Sequence, residues 1–151
     1  YRLDSDFPSF AASQAQPDLS RRLNVLKQAL HADVVAEADC QPERFIPYIQ
    51  PYEFEALLFS DVPTLTRIEP GWQSATAALA AARAVAESPE HINDRPETKP
   101  AAHLERELNN PSYRKRRHGP IAAQKIGLAK IEAECAFFAA WLAQIRELAQ
   151  P

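Results

Sequence analysis

Arg44-Phe45-Ile46-Pro47-Tyr48-Ile49-Gln50, followed after Pro51 and Tyr52 by Glu53-Phe54-Glu55-Ala56-Leu57-Leu58-Phe59-Ser60-Asp61, decides how this chain is read. The first run is short, aromatic and β-branched, which predicts a strand. Pro47 removes a ladder donor, so the strand lies at an edge, is bulged, or ends there, and Pro51 stops it. The second run has helical composition and begins directly afterwards, which predicts a short helix launched from the sheet edge. Ser60-Asp61-Val62-Pro63 reads as a cap and restart.

Working outward, Asp18 or Ser20 is placed to cap a helix whose Leu19, Leu23, Leu26 and Leu30 recur at helical spacing. Downstream, Trp72 to Glu87 is an Ala-rich helix that Ser88-Pro89 punctuates. His91 to Pro100 is a polar, Pro-bracketed loop and a candidate functional segment. Ala101 to Leu108 predicts a short helix ended by Asn109-Asn110-Pro111. A basic segment, Tyr113 to His118, leads into Gly119-Pro120, with Pro120 in the first turn of a helix that Gly127 ends. Leu128, Ile131, Cys135, Phe138, Leu142, Ile145 and Leu148 then mark one amphipathic helix or a pair.

Composition bounds the function classes. The 151 residues are 46% hydrophobic and 25% charged, which is enough to bury a core. Three Gly and two Cys exclude collagen-like and disulfide-dense classes. Cys40 and Cys135 stand alone, as inert thiols in a reducing cytoplasm do. No apolar run approaches the roughly 18 to 20 residues of a membrane helix. The chain starts at Tyr1, has no Met and carries no leader pattern, and so reads as a fragment.

The net charge of -3 conceals an asymmetry. Seven basic residues (Arg95, Lys99, Arg106, Arg114, Lys115, Arg116, Arg117) between Arg95 and His118 face three acidic ones, leaving the rest of the chain strongly negative. Such a block either grips phosphate or is a solvated loop.

Glu53 and Glu55 sit where the expected strand gives way to a helix, a place from which α/β proteins present site residues. Two positions apart, they point about 200° apart on a regular helix, so both reach one metal only if the junction is irregular. Acids in a first helical turn also simply complement the helix dipole. Asn93, Asp94, Glu97 and Thr98 supply hard oxygen ligands suited to Mg²⁺ within one loop. His118, after four cations, is a phosphate donor or acid, or an exposed His at a helix entry.

In this order and spacing, the chain resembles the family called domain of unknown function 4276, commonly encoded beside an ATPase in bacterial and archaeal gene pairs linked to phage defence. The resemblance rests on Asp6-Phe7-Pro8, on Arg44 to Gln50 with Glu53 to Asp61, and on Ile92-Asn93-Asp94 with Pro96-Glu97-Thr98. It continues through Tyr113, Lys115, His118-Gly119-Pro120, Ile126-Gly127-Leu128, Cys135, Phe138 and Trp141-Leu142. Arg95 stands where the family usually has Gly, Tyr52 where His is frequent, and Ala136-Phe137 where Pro-His is usual, which predicts a last helix without a break.

The resemblance implies a relative of the TOPRIM fold, in which acids hold Mg²⁺ for phosphodiester chemistry and some of those acids lie upstream of Tyr1. The expectation is therefore an α/β, TOPRIM-like fragment, mostly helical with one or two short strands. Residues 1–151 form a single domain, with 1–60 as remnant of the α/β core and 61–151 as a helical region. The implied function is a Mg²⁺-dependent nuclease component of an ATPase-linked phage-defence system, inactive as this fragment. Glu53, Glu55 and His118 would be catalytic, with Glu53, Glu55, Asp94 and Glu97 on the metal and Lys115, Arg116 and Arg117 on nucleic acid. The alternative is a non-catalytic binding or sensor subunit of the partner ATPase.

Overall fold

A computed structural model describes residues 5–92 and 98–148. In chain order the α-helices are α1 (Phe10–Gln14), α2 (Leu19–Glu37), α3 (Val62–Thr66), α4 (Thr76–Ala84), α5 (Pro100–Glu107), α6 (Lys115–Ile126), α7 (Leu128–Glu134) and α8 (Ala136–Glu147). Short 3₁₀ turns join them, and a longer 3₁₀ helix spans Phe54–Asp61. The described residues contain no sheet, only an isolated bridge between Asn109 and Ser112. The chain is all-α, and the expected α/β, TOPRIM-like class is overturned.

The physical reason lies in the opening stretch. Phe45 is extended as expected, but residues 45–50 have no strand to pair with among the described residues. The carbonyl of Ile46 instead accepts the Trp141 indole N–H at 3.3 Å, and the Tyr48 ring stacks on Trp141 at 5.0 Å. Pro47 has no donor to leave unpaired, so a solvated or side-chain-bonded extended segment costs little there. β-propensity describes a residue that fits a pleated, half-buried surface, and no such surface is present.

Contacts divide the chain into two units. One comprises residues 1–49 and 140–151, the other residues 50–139. In the first, α1 packs on α2. The cap falls on Asp18, whose carboxylate accepts from Arg21 N at 2.8 Å, and Leu23 and Leu26 are buried.

In the second unit the 3₁₀ helix Phe54–Asp61 is central, touching α3, α4, α5, α6 and α7. Residues 55–60 are buried without interruption. A helix covered on every side needs apolar residues all round, which Ala56-Leu57-Leu58-Phe59 supply. Around it stand Leu65, Trp72, Leu79, Leu104, Leu108, Ala122 and Cys135. Asp61 caps α3, accepting from Thr64 N at 2.9 Å and Thr64 Oγ1 at 2.7 Å.

Two boundaries differ from expectation. Pro120 lies inside α6, which starts five residues earlier at Lys115. The carbonyl that Pro120 leaves without its helical partner belongs to Arg116, in the first turn, where water reaches it. The last helix also breaks, at Cys135, despite the absence of the usual Pro. The fully buried Glu90 makes the break. Its carboxylate accepts from Phe137 N at 2.9 Å and Phe138 N at 3.0 Å, the free donors of the first turn of α8.

Candidate functional site

The 3₁₀ helix Phe54–Asp61 and the head of α6 bring together the most unusual polar groups among the described residues. Glu55 is completely buried. Its Oε2 lies 2.8 Å from Lys115 Nζ, an ion pair reaching inward from a lysine whose own side chain is 58% exposed. That approach lacks hydrogen-bond alignment, and neither carboxylate oxygen has an aligned partner. The buried Tyr113 hydroxyl has none either. Burial raises the Tyr113 phenol far above its ordinary range, reinforced by the negative charges of Glu55, Glu105 and Glu53. It is a neutral hydroxyl beside a buried carboxylate.

His118 is almost completely buried one turn along α6. Its Nδ1 accepts the backbone N–H of Arg114 at 2.8 Å, so Nδ1 carries the lone pair and Nε2 the proton. Nε2 faces Glu69 Oε1 at 3.4 Å. The ring stands edge-on to Trp72 at 4.8 Å, and Tyr113 lies at 5.9 Å. Burial and the nearby Arg117 charge depress its basicity, with Glu69 opposing them. His118 is thus a neutral cap on the start of α6, not an exposed helix-entry group.

Glu53 does not join Glu55. Its Oε2 accepts from Ala101 N at 2.9 Å, at the start of α5, and its Oε1 pairs with Lys99 Nζ at 3.4 Å. The irregular junction that two acids on one metal require is present as 3₁₀ geometry, yet the carboxylates are engaged by different cations and different helices. Asp94 and Glu97 lie outside the described residues. Among the described residues no group of three acidic, His or Cys side chains is placed to hold a metal ion. Glu53 and Glu55 each have an ammonium beside them, Lys99 and Lys115 respectively.

The basic block separates into two kinds of residue. Lys115 is bound to Glu55, and Arg117 pairs with Glu69 at 3.2 Å. Arg114 and Arg116 are exposed and form no ion pair among the described residues. Four cations at a helix N-terminus oppose the helix dipole, and Glu55 and Glu69 offset two of them. Sequence reading missed Glu69, Trp72 and Glu90 as polar or aromatic supports. Glu90 carries a local signal, in that an acid follows Ser88-Pro89 at a helix start, but its real partner is 47 residues away.

No helix among the described residues is long and apolar enough to cross a membrane. No curated protein and no solved structure matches the chain. The family model described as "Domain of unknown function (DUF4276)" matches residues 3–146, nearly the whole length, and the chain belongs to that family.

Proposed function

We propose that this chain is a non-catalytic binding component whose polymeric ligand is nucleic acid, met through Arg114 and Arg116 at the head of α6. The observation that carries the reading is a division of labour. Glu53 and Glu55 are engaged with Lys99, Lys115 and the start of α5, while Arg114 and Arg116 are exposed and pair with no acid among the described residues. An arginine beside a helix N-terminus suits a phosphate oxygen, since guanidinium donors and free backbone N–H groups act together. The interaction is electrostatic and indifferent to base sequence. An ATPase encoded alongside is the protein partner the family resemblance implies, and in this reading it carries the chemistry.

The experiment is fluorescence anisotropy of labelled double-stranded and single-stranded DNA and RNA against the chain over a salt series. Arg114→Glu with Arg116→Glu should weaken binding at least about tenfold and flatten the log–log salt dependence by about one to two units. Unchanged affinity and slope in the folded double variant would remove this reading. The same samples incubated with Mg²⁺ test the hydrolytic alternative, with Glu53, Glu55, Asp94 and Glu97 as its metal ligands. Cleavage lost in Glu53→Gln and Glu55→Gln would favour it.

A further inference from the structure

On α2, Asn24, Lys27, Gln28 and His31 stand at intervals of three, one and three residues, the spacing that puts side chains on one helical face. In an ordinary amphipathic helix such a stripe either faces bulk water or is apolar and faces the core. Here Asn24 and Gln28 are exposed, while Lys27 and His31 are half-buried. With Pro47 and with Gln144 of α8 the stripe lines a groove of about 260 Å³ that opens to solvent. The apolar residues of the helix, Leu23 and Leu26, are buried on a separate face.

The groups in this groove are unspent. Lys27 makes no ion pair, and the carboxamides of Asn24, Gln28 and Gln144 make no hydrogen bond among the described residues. His31 is the exception, and its bond fixes the ring. A carbonyl cannot donate, so Nε2 carries the proton and donates to Pro42 O at 2.8 Å, while the ring stacks on Phe45 at 6.1 Å. Nδ1 is left as an oriented acceptor. No carboxylate lines the groove. One ammonium, three carboxamide donor groups, a fixed imidazole acceptor and a proline ring match an oxyanion on a small hydroxylated or aliphatic body.

We propose that this groove binds a small organic oxyanion, with Lys27 against its charge, the carboxamides of Asn24, Gln28 and Gln144 on its oxygens, and His31 Nδ1 accepting a ligand hydroxyl. Size narrows the class. Pockets for drug-sized molecules start at about 300 Å³, so this one suits a phosphate monoester or short dicarboxylate. The groove is built from residues of the first unit alone, and the proposal does not rest on the nucleic-acid reading.

The test is ¹H–¹⁵N NMR of the full chain, following the side-chain amides of Asn24, Gln28 and Gln144 during separate titrations with glycerol phosphate and glutarate at matched ionic strength. Saturable shifts with Kd near about 1 mM for at least one probe are expected, and which probe saturates distinguishes phosphate ester from carboxylate. Lys27→Gln should weaken binding at least about tenfold, while Arg116→Glu leaves it unchanged. The absence of saturable shifts with both probes overturns the site. So do shifts that persist equally in folded Lys27→Gln, or that depend equally on Arg116.

Discussion

Lys115 Nζ sits 2.8 Å from an oxygen of Glu55, a carboxylate with no exposure to solvent, and thereby ties the head of α6 to the centre of the second unit. A buried carboxylate without a counter-charge costs several kcal/mol, so the lysine is what makes this glutamate tolerable. Tyr113, whose phenol burial and the Glu55 charge keep neutral, is a neighbour of that carboxylate. Glu55 is one half of an inward-reaching ion pair.

His118 predicts a pH dependence of stability. Its basicity is depressed in the folded chain, chiefly by burial, so the unfolded chain takes up this proton first. Its contribution is therefore fully present above the ordinary His value near 6.5 and is lost as pH falls below it toward the lowered folded value. Protonated Nδ1 can no longer accept from Arg114 N, which removes the cap of α6 as well. Urea unfolding between pH 7 and 5 should show falling stability, with a shallower fall in His118→Asn. An equal slope in that variant would contradict the role of His118; His103, which burial and Arg106 also depress, adds to the slope in both chains.

Glu90→Ala should destabilise the chain by about 1–3 kcal/mol, the cost of leaving buried donors without an acceptor. The loss concentrates where Phe137 and Phe138 N–H lose their carboxylate. Hydrogen exchange should show those two amides, and the first turn of α8, losing protection first. Uniform loss across both units would contradict a local capping role.

Gly71 is exposed, yet a Cβ there would fall on the carbonyl oxygen of Asn110. The two segments are held together by Trp72 Nε1, which donates to Pro111 O at 2.6 Å. Gly71→Ala should cost about 1–3 kcal/mol through forced backbone movement, read as a drop in the urea midpoint with unchanged slope. A neutral effect would mean that the loop yields without loss.

How far the sequence is legible depends on whether a signal is local. The Asp18 cap with Leu23 and Leu26, the Asp61 restart, and the Gly127 stop at φ +83 are written within a few residues of where they act, and all three are found. The strand at Arg44–Gln50 is not, because pairing depends on a partner that no local pattern specifies. At the head of α6, the partner of Lys115 is an acid 60 residues earlier, which no local pattern announces. His118 shows the same limit. Its neighbours in sequence are cations, which suggested an exposed acid or phosphate donor. Trp72 and Glu69, distant in sequence, bury it.

The partner of Glu55, Lys115 or a divalent cation, separates a structural ion pair from a metal site. The most direct measurement is a double-mutant cycle of Glu55→Gln and Lys115→Met by urea unfolding, run with and without Mg²⁺. For an ion pair, Lys115→Met alone should cost the most, adding Glu55→Gln should recover stability, and the coupling of about 1–3 kcal/mol should be the same in both buffers. A coupling that vanishes in Mg²⁺, with the ion stabilising the parent chain and Lys115→Met but not Glu55→Gln, would contradict the ion pair and make Glu55 a metal ligand.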